Sequence, residues 1–336
     1  MSRLEFGEAI DRAVARAMAR DDRILVFGED VPMLRGPLAA RFGASRVLAA
    51  PISESAFVGA AVGAAMAGLR PIVELMMVDF AGVCFDAFLN QMSRLRDFSG
   101  GAWTCPLVVR ASCGGGYGDG GQHEQALWGL FSGIPGLTVV VPSTPADAAG
   151  LMTAAIEHDG PVIYLEHKLL SRSWLEFLGR GGRDTVEFDV PAEGAEGEVP
   201  EGAPAVPLGK AATRREGRDL TIASLAVGVH RSLAAAAGLE ERGISCEVID
   251  LRTARPLDRA AIVASVSRTG RLLVVDEDYR EGGLSGEIAA AALEAGLAPR
   301  FARVCLEGTL PYDRVREARA LPNVERIRQR ALELMG

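Results

Sequence analysis

Pro51-Ile52-Ser53-Glu54-Ser55-Ala56-Phe57-Val58-Gly59-Ala60-Ala61-Val62-Gly63-Ala64-Ala65-Met66-Ala67-Gly68 sets one carboxylate at the mouth of a helix made almost wholly of small apolar residues. Gly59, Gly63 and the alanines leave little side chain between backbones, so such a helix approaches a neighbour closely. Glu54 closes one end and Arg70 follows the other, and the run falls short of the roughly 20 residues a bilayer span needs. The expectation is therefore a buried helix of a water-soluble protein. An ionised carboxylate beside that surface is costly to desolvate unless something binds it. On spacing alone the plainer account is preferred: Glu54 is a first-turn acid complementing the helix dipole, with Ser53 near the cap.

Outward from this helix, strands and helices alternate. Asp22 to Asp30 is an apolar strand ending in glycine and acids, and further strands are expected at Pro71 to Met77, Leu107 to Ala111, Leu137 to Val141 and Val162 to Glu166. Helices are expected between them, as at Phe80 to Arg96 and Pro145 to Glu157. That alternation predicts a mainly parallel sheet covered on both faces. From Ser171 to Pro207 glycine, glutamate and proline dominate, which reads as a solvated linker or insertion rather than packed structure. A second α/β segment follows, with strands at Asp219 to Ala226, Ser245 to Leu251 and Leu272 to Asp276. The expected domains are residues 1–170, a linker at 171–207, and residues 208–336.

A chain of 336 residues is more than one compact core usually holds, and 49% hydrophobic residues give it a large buried interior. A net charge of -8 argues against nucleic acid and suits a basic protein partner. Cys84, Cys105, Cys113, Cys246 and Cys305 are odd in number and never paired as CxxC, which points to reduced thiols in a cytoplasm. Met1 to Phe6 lacks the apolar stretch of a secretion signal.

The loop from Cys113 to Gln125 contains a literal G-x-G-x-x-G at Gly116, Gly118 and Gly121. A dinucleotide site also wants an acid at the end of the next strand, and that strand ends in Pro142-Ser143 instead. No lysine follows the glycines, so a P-loop is excluded. Gly118-Asp119-Gly120 imitates the diphosphate motif of thiamine enzymes, but the asparagine that motif requires is missing between Asn90 and Asn323. His123, alone in this loop, is a structural hydrogen-bonder or an acid–base group. No GxSxG, HExxH or histidine cluster supports a hydrolase or a metalloenzyme.

Taken together, Gly28-Glu29-Asp30-Val31, Pro51-Ile52-Ser53-Glu54, Gly59 through Pro71, Val78-Asp79-Phe80, Gln122-His123, Ile134-Pro135-Gly136-Leu137, Val141 to Pro145, Leu165 to Leu170, Val248 to Thr253 and Thr269 to Leu272 carry a resemblance. The chain resembles the beta subunit of the decarboxylating component of 2-oxo acid dehydrogenase complexes, the family of pyruvate, branched-chain and acetoin dehydrogenases. The resemblance covers nearly the whole chain in family order. It implies a transketolase-like α/β fold, with a pyrimidine-binding domain followed by a C-terminal open α/β domain. It implies thiamine diphosphate as cofactor, shared with an alpha subunit that holds the diphosphate and Mg2+, in a heterotetramer of two alpha and two beta chains.

In that setting the Glu54 carboxylate would hydrogen-bond N1′ of the aminopyrimidine, favouring the imino tautomer that promotes loss of the thiazolium proton. Met76 and Phe80 would pack on the pyrimidine, and His123 would orient groups or transfer a proton during acyl transfer. The family's structural potassium ion would map to backbone oxygens of Leu107, Ala155, Ile156, His158 and Gly160. The implied reaction decarboxylates a 2-oxo acid and passes the acyl group to a lipoyl domain of an acyltransferase core, or to another acyl carrier. Val78 to Asp86 is similar to the acetoin branch and Asp276 to Tyr279 to the pyruvate branch. An acetoin dehydrogenase beta subunit or a specialised acyl-transfer homologue is thus the alternative, ahead of a NAD-binding oxidoreductase or a scaffold. The resemblance departs at the long acidic stretch Ser171 to Pro207, at Asp97 where an aromatic is common, and at Pro311-Tyr312.

Overall fold

The computed structural model describes residues 1–179 and 188–336. Its larger sheet has seven strands, in the order Thr253–Arg255, Thr138–Val140, Val162–His167, Val108–Cys113, Arg70–Met77, Ile24–Glu29 and Val47–Ala50. All pairs are parallel except Thr253–Arg255 with Thr138–Val140. Period-two alternation assigns the two faces. Val73, Leu75, Val109, Ala111 and Leu165 join the core beneath the Glu54–Met66 helix. Ile72, Val108 and Tyr164 join the core beneath the helices Phe6–Met18 and Pro145–Glu157.

The second sheet has five strands, in the order Arg300–Leu306, Arg271–Tyr279, Leu220–Ser224, Cys246–Asp250 and Ala212–Arg215, the last antiparallel. Helices Ala226–Glu240 and Val324–Met335 cover one face. On the other, Ile262, Val266 and Ile288 join the same apolar cluster as the first domain's Glu54 helix. The two halves therefore share core and are interlocked by the Thr253–Arg255 strand.

Three expectations change. The stretch from Ser171 to Pro207 packs in its described part: Trp174 is buried, and Glu196–Val199 pairs antiparallel with Ser2–Glu5, burying Val199. Its charges misled because they sit on the exposed positions of elements whose few apolar residues face inward. Residues 180–187 of that stretch lie outside the described residues. Phe80 to Arg96 is not one helix. It is a 3-10 turn over Val78–Cys84, a π-helical turn over Ala87–Met92 and an α-turn over Leu95–Phe98. The Glu54–Met66 helix is buried on one side alone: Phe57, Val58, Ala61, Val62 and Ala65 are inside, while Ala56, Ala60, Gly63 and Met66 are exposed.

Behind the sheet, Glu74, Arg110 and Glu166 occupy alternate positions of neighbouring strands and meet Arg35 and Asp11. Arg35 donates to Glu74 at 2.9 Å, while Arg110 donates to Glu166 at 2.8 Å and to Asp11 at 2.6 Å. Of these five charged groups all but Asp11 are nearly fully buried.

Candidate active site

Glu54, the Met76–Phe80 segment and the glycine loop follow the carboxyl ends of parallel strands, the end where open α/β sheets bind ligands. Glu54 is the first residue of its helix and half-buried; Ser53 stands at the N-cap without a side-chain capping bond. Burial, then the charges of Asp30 and Glu54, raises the Glu29 carboxyl above its ordinary range. Cys84 is pushed up to about 12 by burial and secondarily by Glu54. Glu54 thus lies against the end of the Ile24–Glu29 strand and the Val78–Cys84 turn, and Ser55 next to it donates its hydroxyl to the Val83 carbonyl.

The same turn reaches the second candidate. Phe80 meets His123 edge-on, with ring centroids 5.9 Å apart. The His123 carbonyl accepts from the Tyr117 hydroxyl at 2.9 Å and from the Lys168 ammonium. His123 Nδ1 is buried without a hydrogen-bond partner. Met76, half-buried at the end of its strand, is tied through its carbonyl to Ser112. The turn Val78–Cys84 therefore links Glu54, Phe80 and His123 into one wall.

Several residues of this wall escaped sequence reading. Asp79 Oδ1 accepts from Gln125 Nε2 at 2.9 Å, and Tyr279 of the second domain donates to Gln125 Oε1 at 3.0 Å. Asp79 Oδ2 is buried and unpartnered. Lys168 is fully buried, with its ammonium 4.7 Å from the Tyr117 ring centroid, and burial lowers its pKa. Only the motifs Val78-Asp79-Phe80 and Leu165 to Leu170 hinted at these positions.

The glycine loop does not cradle phosphate. Gly115 N donates to Glu277 and Gly116 N to Glu317, each at 2.7 Å, and Asp119 N donates to Glu124 at 2.8 Å. Three carboxylates already occupy the donors an anion would need, two of them from the second domain. Gly118 and Gly120, at φ +89° and +70°, leave room for Arg314 and Tyr312 from that domain. The glycines serve close domain packing.

The proposed potassium ligands fare differently. The Ile156 and His158 carbonyls accept from the Arg70 guanidinium, Leu107 O accepts from Val162 N, and Ala155 O accepts from His158 N. A cation among Leu107, Ala155, Ile156, His158 and Gly160 would share oxygens with a fixed positive charge. The set does not fit potassium well, because Arg70 already holds two of its oxygens.

The remainder fits one end of a thiamine cofactor. A half-buried carboxylate, an aromatic ring, a thioether and an orphaned imidazole nitrogen suit an aminopyrimidine, whereas carboxylates already occupy the glycine-loop amides that a diphosphate would use. Among the described residues no group of three histidine, cysteine or acidic side chains gathers to hold a metal ion. No helix among them is long and apolar enough to cross a membrane.

Comparison with known proteins agrees with this layout. The transketolase pyrimidine-binding domain matches residues 2–173, and the transketolase C-terminal domain matches residues 209–327. The acetoin:2,6-dichlorophenolindophenol oxidoreductase subunit beta of Cupriavidus necator is 40% identical, over 97% of this chain and 96% of its own. The pyruvate dehydrogenase E1 component subunit beta of Bacillus subtilis is 39% identical, over 86% of this chain and 85% of its own. A split-gene transketolase solved as an inactive beta4 tetramer superposes with a TM-score of 0.78 at 20% identity, over 99% of this chain and 98% of that one, a likeness of fold.

Proposed function

The chain belongs to the family of transketolase-like beta subunits of 2-oxo acid dehydrogenase components, and from that membership we propose its part in the reaction. It forms the pyrimidine side of a thiamine diphosphate site, completed by an alpha subunit, in which a pyruvate-like 2-oxo acid loses carbon dioxide. The acyl group then passes to a lipoyl domain of an acyltransferase core or to another acyl carrier. The observation that carries this reading is the single wall of Glu54, Phe80 and His123 beside the uncovered Glu54–Met66 helix.

When bound, thiamine supplies the electron sink for decarboxylation; the protein supplies alignment and protonation. Glu54 would hold the ring nitrogen N1′ of the aminopyrimidine through its carboxylate, and Met76 and Phe80 would fix the plane of that ring. His123, with Phe80 against its edge and its carbonyl held twice, would present its imidazole to the substrate and hold or deliver a proton during acyl transfer. An alpha subunit would hold the diphosphate and Mg2+, since the loop that imitates a phosphate cradle is filled by carboxylates.

The exposed small-residue face of the Glu54–Met66 helix supports a partner chain: a Cβ added at Gly59 or Gly63 meets nothing within 4 Å. Two alpha and two beta chains are the proposed assembly. Five unpaired, buried cysteines support a cytoplasmic setting.

The test is co-purification with the product of the neighbouring gene, native mass determination and a thiamine diphosphate titration. Cofactor binding that needs both chains is expected; a lone homo-oligomer that binds cofactor or NAD would overturn the proposal. A turnover screen of pyruvate, branched 2-oxo acids and acetoin then separates the main reading from the acetoin alternative, which the 40% identical relative favours.

A further inference from the structure

We propose that Glu124 and Glu317 share one proton, and that this carboxyl pair is the device by which the second domain positions the loop bearing His123. The inference rests on the proposed role of His123. Glu124 is the next residue after His123 and is fully buried; Glu317 is 1% exposed and lies on the second domain's helix Arg314–Ala320. Glu124 Oε1 accepts from Asp119 N at 2.8 Å and Tyr117 N at 3.3 Å, and Glu317 Oε1 accepts from Gly116 N at 2.7 Å. Both acids therefore grip the same four-residue stretch from opposite domains. The second oxygen of Glu124 is buried with no hydrogen-bond partner.

An orphaned carboxylate oxygen beside a second buried carboxylate is explained by a proton. Two adjacent buried carboxyl groups do not both stay ionised, and the orphaned oxygen places the proton on Glu124. A proton on Glu124 Oε2 turns that atom into a donor, with Glu317 as its acceptor. Burial, then the hydrogen bond to Glu317 and its charge, pushes Glu124 up to about 9, while Lys168 acts in the opposite sense. The Lys168 ammonium already donates to the His123 carbonyl.

The other charged or titratable groups around the pair are Asp119, Tyr117 and His123 on the loop, and Arg314 and Arg319 on the facing helix. Asp189 and Arg231 line the adjoining cavity. Loss of the shared proton places two charges between loop and helix and pushes them apart, so His123 loses its setting without being altered.

The test compares the full chain with Glu124→Gln and Glu317→Gln by melting temperature against pH, and measures kcat and KM in the complex with its alpha partner. A folded-state pKa raised above the unfolded one gives stability that is full at low pH and is lost as pH rises toward the folded value. The melting temperature of wild type relative to Glu124→Gln should therefore fall from about pH 5 to about pH 9 and level off above. Glu317→Gln, whose amide donates to Glu124 without a proton, should lose the same dependence and keep turnover above about pH 9, where wild-type kcat falls at unchanged KM. Glu317→Ala should lower kcat about tenfold at neutral pH, with Glu317→Gln restoring it.

Melting curves of wild type and both glutamine variants that run parallel across the whole range overturn the pair. The melting experiment contains no substrate, so a shared proton seen there with kcat insensitive to Glu317 would support the pair and overturn its link to His123.

Discussion

Phe80 stands edge-on to His123, with ring centroids 5.9 Å apart and ring planes at 82°. The contact joins the turn that follows one parallel strand to the loop that follows its neighbour. It is the step by which Glu54, packed against the same turn, comes to share a wall with the imidazole. Replacing Phe80 by alanine should leave the fold intact and free the imidazole to rotate. The expected result is a lower rate of acyl transfer, with thiamine binding weakened as well because one face of the pyrimidine loses its support. A Phe80→Ala complex with wild-type transfer and affinity would exclude this part for the ring.

Glu54→Gln should assemble normally with the alpha subunit and lose at least about 100-fold in decarboxylation, because a neutral amide cannot replace the carboxylate at the ring nitrogen. Native mass and carbon dioxide release, measured on one preparation, check both halves. Wild-type turnover in the assembled variant would remove Glu54 from the mechanism.

His123→Ala should separate the two halves of the reaction. Release of carbon dioxide to an artificial acceptor should persist, while transfer to the acyl carrier drops by about tenfold or more. Equal losses in both assays would instead place His123 in the decarboxylation step.

Gly63→Leu probes the open helix face. Nothing lies within 4 Å of an added Cβ there and leucine is the better helix former, so the isolated chain should melt at or above the wild-type temperature. The bulkier face should prevent close approach of another backbone and abolish the mixed assembly. A normal heterotetramer on native mass analysis would move the interface elsewhere.

Arg110→Met removes one of two arginines that balance Glu74, Glu166 and Asp11 behind the sheet. Breaking a buried network by deleting one partner leaves uncompensated charge, and a loss of about 3–5 kcal/mol in unfolding free energy is expected. Chemical denaturation measures it directly; a loss below about 1 kcal/mol would mean the cluster relaxes into water.

Asp278 predicts a second, separable pH effect. Its carboxylate accepts from Gly129 N across the domain junction at 2.8 Å, and burial, then the charge of Asp276, pushes it up to about 7. An acid raised in the folded state stabilises most at low pH. The Asp278 contribution to stability should therefore fall by up to about 1.4 kcal/mol per pH unit between about pH 4 and pH 7 and level off above, while the Glu124 contribution continues to fall toward about pH 9. Asp278→Asn should remove that slope, as read from urea midpoints at several pH values.

Local chemistry made much of this protein legible. The Pro145–Glu157 helix is bounded as expected, because Thr144 caps Asp147 N and Pro145 fits the first turn. The parallel strands follow from short apolar runs, and Glu54 stands out as a lone charge on an apolar helix. Side-chain period and capping act within a few residues, so the order of residues alone determines them.

The rest was decided by topology. Trp174 and Val199 are core residues inside an acidic stretch because distant elements cover them. Sequence alone excludes phosphate motifs from the glycine loop, but only the fold shows what its amides do instead: they bind Glu277 and Glu317, far along the chain. Lys168 and Glu124 look like ordinary surface charges until the domains close over them. Desolvation and pairing depend on which groups meet across the fold, and no local pattern records that.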